Sequence, residues 1–206
     1  MEISVGICLI IIFITYLVTN LVIPKVLRIC KNLGIKESPQ KRKAHKKPMI
    51  QLGGIGLLFS FQISVISVMI INLIFNLVDI NNILIIKIQL FSLIISIIGM
   101  VDDIVDLSAY TRLVGQFSIA FLTWLSGIKI EILHINLAGF FDLKLNLPLS
   151  MSCIITLIWI VGIINAINWV DGIDGLASSL ITISSIGFII LSYLNEQTSV
   201  LILSTA

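Results

Sequence analysis

Long apolar runs decide what this chain can become. Residues 3–23, 52–75, 83–101, 113–128, 149–165 and 176–194 are almost free of charge, and a helix needs about 20 predominantly apolar residues to cross a bilayer. Only 12% of the 206 residues are charged and 58% are apolar, against roughly 25% charged in soluble domains. The sequence predicts an all-α polytopic membrane protein and excludes water-soluble classes. It should have about six complete transmembrane helices and the start of a seventh at 199–206. That last run covers only about 12 Å at 1.5 Å per residue. The expectation is one integral-membrane domain, 1–206, truncated at its C-terminus.

Orientation follows from charge. Nine of the 13 basic residues (Lys25, Arg28, Lys31, Lys36, Lys41, Arg42, Lys43, Lys46, Lys47) fall between the first two runs with a single acid, Glu37. Basic loops stay cytoplasmic, which puts the N-terminus outside. Between two spans such a run is a topology signal rather than a nucleic-acid site, and no nucleic-acid partner is expected. Pro24 is expected to close the first span. Residues 76–82 and 195–197 read as outer turns, and 129–148, broken by Gly139, Asp142, Lys144 and Asn146, as a small external hairpin. Cys8, Cys30 and Cys153 have no metal-type spacing and give no disulfide framework. The N-terminal run lacks a basic start and a cleavage site, so it reads as a retained span.

Counting spans from the basic loop brings two acidic stretches to that same side: GMVDDIVDLS at 99–108 and NAINWVDGIDGLA at 165–177. Carboxylates are expensive beside lipid and mark functional positions. Asp102 and Asp106 are four apart, and Asp103 and Asp106 three apart, which on a helix is one face. Clustered carboxylates repel unless a cation intervenes, and oxygen ligands suit Mg²⁺ or Mn²⁺. The first stretch taken alone reads equally well as a solvated helix end. The second is harder to dismiss. Asn165 and Asn168 lie near a span end, Gly172 and Gly175 punctuate Asp171 and Asp174, and the helix starting at Leu176 offers an N-terminus suited to a diphosphate. The bland alternative is a helix connection capped by Asp174. In the basic loop, the lysines around Lys47 divide evenly between contact with anionic lipid and recognition of a phosphorylated substrate, while His45 alone is weak evidence of catalysis. His134, on the outer side, reads as incidental.

These residues carry a resemblance. RKAH at 42–45 before Gly53 and Gly54, the Asp102–Asp103–Asp106 stretch and the stretch from Asn165 to Ala177 stand in the order found in the polyprenyl-phosphate N-acetylhexosamine-1-phosphate transferases, glycosyl transferase family 4. Their relatives include phospho-muramoyl-pentapeptide transferase and the eukaryotic dolichyl-phosphate enzyme. The chain resembles the N-terminal portion of a member. Ile50 and Gln51 depart from the usual Pro and basic residue, and a later metal-binding Asp loop and a His-rich loop have no counterpart in the sequence.

The resemblance implies transfer of a HexNAc-1-phosphate from a UDP-sugar to a polyprenyl phosphate with release of UMP, in bacterial cell-envelope polysaccharide synthesis. It implies Asp102 and Asp103 as catalytic, with Asp102 the better base. It implies Asp106, Asn165, Asp171, Asp174, Lys47 and His45 as substrate-binding, and Asn168 and Asp171 at the metal, Mg²⁺ or Mn²⁺. The third acid, Asp106, is similar to the N-acetylglucosamine branch, which favours UDP-GlcNAc. The expected partners are a UDP-sugar, a polyprenyl phosphate and membrane lipids, with a homodimer possible. The expected location is the bacterial cytoplasmic membrane, with the acidic loops in the cytoplasm. Three alternatives stand beside this: a catalytically incomplete fragment, an alcohol phosphatidyltransferase, and a cation transporter using membrane carboxylates. The phosphatidyltransferase would hold its acids in one compact motif, and the transporter would hold them at mid-span.

Overall fold

The computed structural model describes residues 2–32, 53–105, 107–137, 141–171 and 175–206. They form α1 (Glu2–Asn32), α2 (Gly53–Phe75), α3 (Asn82–Val105), α4 (Ala109–Leu125), β1 (Ile132–Leu137), β2 (Phe141–Asn146), α5 (Leu149–Val170), α6 (Leu176–Leu194) and α7 (Thr198–Thr205). The strands form one antiparallel hairpin in the expected region, with Ile132 opposite Asn146 and Ile135 opposite Leu143. The remaining regular elements among the described residues are all helices, consistent with a polytopic membrane protein. α1, α2, α3, α5 and α6 are long and apolar enough to cross a membrane. α4, with 17 residues, is about 25 Å long. That is slightly less than the roughly 30 Å hydrocarbon core.

Two boundaries differ from expectation. Pro24 does not end the first span; it lies inside α1, which runs on to Asn32 and carries Lys25, Arg28 and Lys31 on helix. A proline removes one N–H and its ring crowds the preceding turn. The apolar residues before it and the good helix formers after it outweigh that loss. α4 begins at Ala109 rather than near 113, because Ser108 caps it: the Thr111 amide donates to Ser108 Oγ at 3.1 Å. Such a cap is worth about 1 kcal/mol.

Consecutive helices run antiparallel. α1 and α2 approach closely where Gly56 faces Ile23; a Cβ on Gly56 would stand 3.1 Å from Ile23 Cγ1. α2 and α3 are joined by a glutamine pair: Gln62 Nε2 donates to the Gln89 carbonyl at 3.0 Å and to Ser92 Oγ at 3.1 Å, and Gln89 Nε2 returns to the Gln62 carbonyl at 3.3 Å. Amides in an apolar span are tolerated only when satisfied in this way. Ile7 and Ile11 of α1, Val68 of α2 and Ile202 of α7 form a buried core at the end of the bundle holding the α2–α3 turn. That turn is fixed by Asn72, whose side chain donates to the Val78 carbonyl and accepts from its amide. It is also fixed by the Asn81 amide, which donates to Ser199 Oγ at 2.8 Å. Elsewhere large apolar side chains face outward, among them Leu73 at 78%, Ile183 at 72% and Phe13 at 61% exposed. A water-soluble fold would not leave so many such groups uncovered; lipid is the surrounding that suits them.

Candidate active site

The site is assembled at the opposite end of the bundle, where α3 and α5 finish and α4 and α6 begin. The C-terminal half of α1, with Lys25, Arg28 and Lys31, points to this same end by the alternation of helix directions. Asp102 and Asp103 occupy the last turn of α3. Asp102 is part-buried, and Arg112 in the first turn of α4 donates from Nη1 to its Oδ2 at 3.0 Å; the side chains are 17% and 29% exposed respectively. Asp103 is exposed and has an interaction of its own. α3 comes close enough to α4 for this pairing because Gly115 sits there, where a Cβ would stand 3.1 Å from Ile98 Cδ1.

One turn further along α4 the second stretch attaches. Asn165 of α5 donates from Nδ2 to Gln116 Oε1 at 2.6 Å and to the Val161 carbonyl at 2.8 Å. Gln116 is 5% exposed. Arg112 and Gln116 are four residues apart, hence neighbours on one helix face. The first two turns of α4 therefore clamp both acidic stretches, Asp102 through Arg112 and Asn165 through Gln116. Asn165 and Asn168 both lie on α5, which runs past the expected end to Val170. Asp171 caps it, with its amide donating to the Ile167 carbonyl at 3.1 Å. Asn168 and Asp171 are exposed. Asp106, Asp174, Lys47 and His45 lie outside the described residues.

The electrostatics are unusual. Asp102, Asp103 and Asp171 all sit at C-terminal helix ends, where the macrodipole is already negative and a carboxylate is disfavoured by about 0.3–1 kcal/mol. Such an end attracts a cation. α4 and α6 present N-terminal ends beside it, with amides suited to phosphate. The donor set at this end is carboxylate and amide oxygen, which fits a hard cation such as Mg²⁺. Among the described residues no group of three or more His, Cys, Asp or Glu comes together to hold a metal. Mg²⁺ is commonly held by one or two carboxylates together with substrate phosphates.

Gly175 starts α6 in the left-handed region at φ 77°, and its carbonyl accepts from Ser178 Oγ at 3.0 Å and Ser179 Oγ at 2.6 Å. A Cβ there would meet nothing within 4 Å, so Gly175→Ala tests backbone strain alone. It should lower unfolding stability by about 1–2 kcal/mol. Thermal unfolding in detergent checks this, and an unchanged midpoint would count against the left-handed turn.

Two residues of this arrangement stand out only in three dimensions. Arg112 reads in sequence as the cytoplasmic mark of a span and Gln116 as part of the span. Their one sequence signal is an amide one helical turn after an arginine in an otherwise apolar run. At the other end, Lys87 Nζ donates to the Ser126 carbonyl at the end of α4. Trp124 Nε1 donates to Ser152 Oγ at 3.2 Å, as befits an interfacial tryptophan.

No curated protein and no solved structure matches the chain. The family model described as glycosyl transferase family 4 matches residues 85–206, more than half of the chain and all of the helix ends that build this site. The family supports sugar-phosphate transfer to polyprenyl phosphate as the kind of function, with a nucleotide sugar as donor and a multi-pass membrane setting. With the acid-bearing helix ends and the matched segment coinciding, the chain belongs to glycosyl transferase family 4.

Proposed function

We propose that the protein transfers an N-acetylhexosamine-1-phosphate, most of all GlcNAc-1-phosphate, from a UDP-sugar to a polyprenyl phosphate in bacterial envelope polysaccharide synthesis. The observation that carries this reading is the shared clamp on α4, which ties Asp102 and Asn165 to residues one helical turn apart. Two anionic substrates that must meet need negative helix ends for a cation and positive helix ends for phosphate, side by side.

The reaction balances simply. An oxygen of the lipid phosphate attacks the β-phosphorus of the UDP-sugar. The bond from that phosphorus to the bridging oxygen breaks, and UMP leaves with the bridging oxygen and its electron pair. The sugar remains on a lipid diphosphate. A phosphate monoester is already largely ionised near neutral pH, so proton removal is a small task beside positioning. In this reading Asp102 and Asp103 stand by the lipid phosphate, and Asp102 also holds the Arg112 guanidinium in place. Asp106, Asn165, Asp171, Asp174, Lys47 and His45 serve the nucleotide sugar. Asn168 and Asp171 are the side chains that would hold Mg²⁺ or Mn²⁺. When bound, the cation supplies positive charge that offsets repulsion between the phosphates and stabilises the charge on the departing group. The N-terminus lies outside the cytoplasmic membrane and the acidic helix ends face the cytoplasm.

The full chain in vesicles containing polyprenyl phosphate and Mg²⁺ should release UMP from UDP-GlcNAc about tenfold faster than from other UDP-HexNAc donors, a preference of the size one added or missing contact provides. Chelating the metal should reduce release by at least about 100-fold. Absence of UMP from every donor tried, with metal present, would overturn the proposal.

A further inference from the structure

The β1–β2 hairpin is amphipathic. Its register puts Leu133 opposite Leu145 and Ile135 opposite Leu143 on one face. His134, Lys144, Asp142 and Asn146 lie on the other, together with Ile132 at its base, and there His134 Nε2 meets Asp142 Oδ1 at 2.6 Å. Successive residues of a strand point to opposite faces, so the segregation follows from sequence alternation. On the apolar face Ile135 is 47% and Leu145 45% exposed, and neither strand packs extensively on a helix.

We infer that this apolar face seats on the lipid surface, at the membrane face opposite the acidic helix ends. The hairpin does not stand off the end of the bundle. Its root is tied to α5, where the Ile130 amide donates to Thr156 Oγ1 at 2.9 Å, and the Leu147 amide closes it on the Glu131 carbonyl at 2.8 Å. Thr156 lies about 10 Å along α5 from its first residue, Leu149. At that level α5 turns Met151, Ile154 and Ile158 outward at 55%, 57% and 61% exposure. The hairpin thus leaves the bundle beside its lipid-facing belt.

A second copy of the chain is a poorer occupant. One face of the whole two-stranded ribbon, about 20 Å by 10 Å, offers on the order of 200 Å², below the roughly 800 Å² per partner of a stable interface. Charge does not call for a protein partner either, because Lys129 pairs with Glu131 at 2.8 Å and His134 with Asp142. Depth is limited by the backbone: the outer edges of a two-stranded ribbon leave N–H and C=O groups that hydrocarbon cannot satisfy. The hairpin therefore lies at the headgroup boundary, apolar face down and polar face in water.

The test uses the full chain with its native cysteines replaced by serine, reconstituted in phosphatidylcholine vesicles. Single cysteines at Ile135, Leu143, His134 or Lys144 carry an environment-sensitive fluorophore. Probes at 135 and 143 should be quenched several-fold more by lipid-borne quencher than by aqueous iodide, and probes at 134 and 144 the reverse. The pattern should persist in vesicles with anionic lipid, because the hairpin's charges are largely paired. Equal iodide quenching at all four positions would overturn the inference. So would protection at 135 and 143 that disappears when the protein is diluted to one copy per vesicle, which would assign the face to a second copy. None of these readouts depends on UMP release, so the outcome is separable from the proposed activity.

Discussion

Asp102→Asn should reduce UMP release by about 100- to 10,000-fold, the range for losing a positioned charged group in a reaction between anions, while leaving the thermal unfolding midpoint nearly unchanged. The asparagine amide oxygen can still accept the Arg112 Nη1 hydrogen bond that Oδ2 accepts at 3.0 Å in the parent. The clamp between α3 and α4 is kept and only the charge is lost. Because both partners are partly solvated, their pairing contributes about 1 kcal/mol or less to stability. Arg112→Met is the informative contrast. It removes the cation beside Asp102, leaves two adjacent carboxylates at a negative helix end, and should lower both stability and activity. UMP release from Asp102→Asn within threefold of the parent would remove Asp102 from the reaction.

The second large effect concerns the amide pair. Gln116→Leu and Asn165→Leu should each cost about 1–3 kcal/mol, because each strands one amide where water is scarce. Asn165→Leu should be the worse of the two. It leaves Gln116, 5% exposed, without the donor it accepts from, whereas in Gln116→Leu the Asn165 side chain keeps its 2.8 Å bond to Val161. The double substitution should cost less than the sum of the singles, with a coupling of at least about 0.5 kcal/mol. Unfolding of the four chains in denaturant closes the cycle. Simple additivity would mean that the 2.6 Å contact does not hold α5 to α4.

Apolar length made the spans legible. α2 and α6 fall almost where composition places them, since a membrane helix is bounded by the bilayer rather than by periodicity. The hairpin at 132–146 was legible from its alternation, although only the structure supplies its register. Capping and tertiary contact were harder to see. Ser108 starts α4 before the apolar run does, and Pro24 fails to stop α1 because the residues after it favour helix. At the site, the acids announced themselves as charges in an apolar chain. Arg112 and Gln116 did not, because their meaning depends on which helices lie against α4. A single amide in a hydropathy average disappears, yet two such amides meeting across helices fix where α5 ends relative to α3.

The core at the far end of the bundle also sets a timetable. Ile7 and Ile11 of α1 share it with Ile202 of α7, and Cys8 lies 3.8 Å from Thr205, 197 positions later in the chain. At roughly 5–20 residues per second of synthesis, about 10–40 s pass between the appearance of α1 and that of α7. Over that interval α1 rests mainly on α2, with lipid holding the place α7 will take. The two acidic stretches, by contrast, lie on α3, α4, α5 and the start of α6, which follow one another directly. The helix ends that carry Asp102, Asp103 and Asp171 are therefore made before α7 reaches the core it shares with α1.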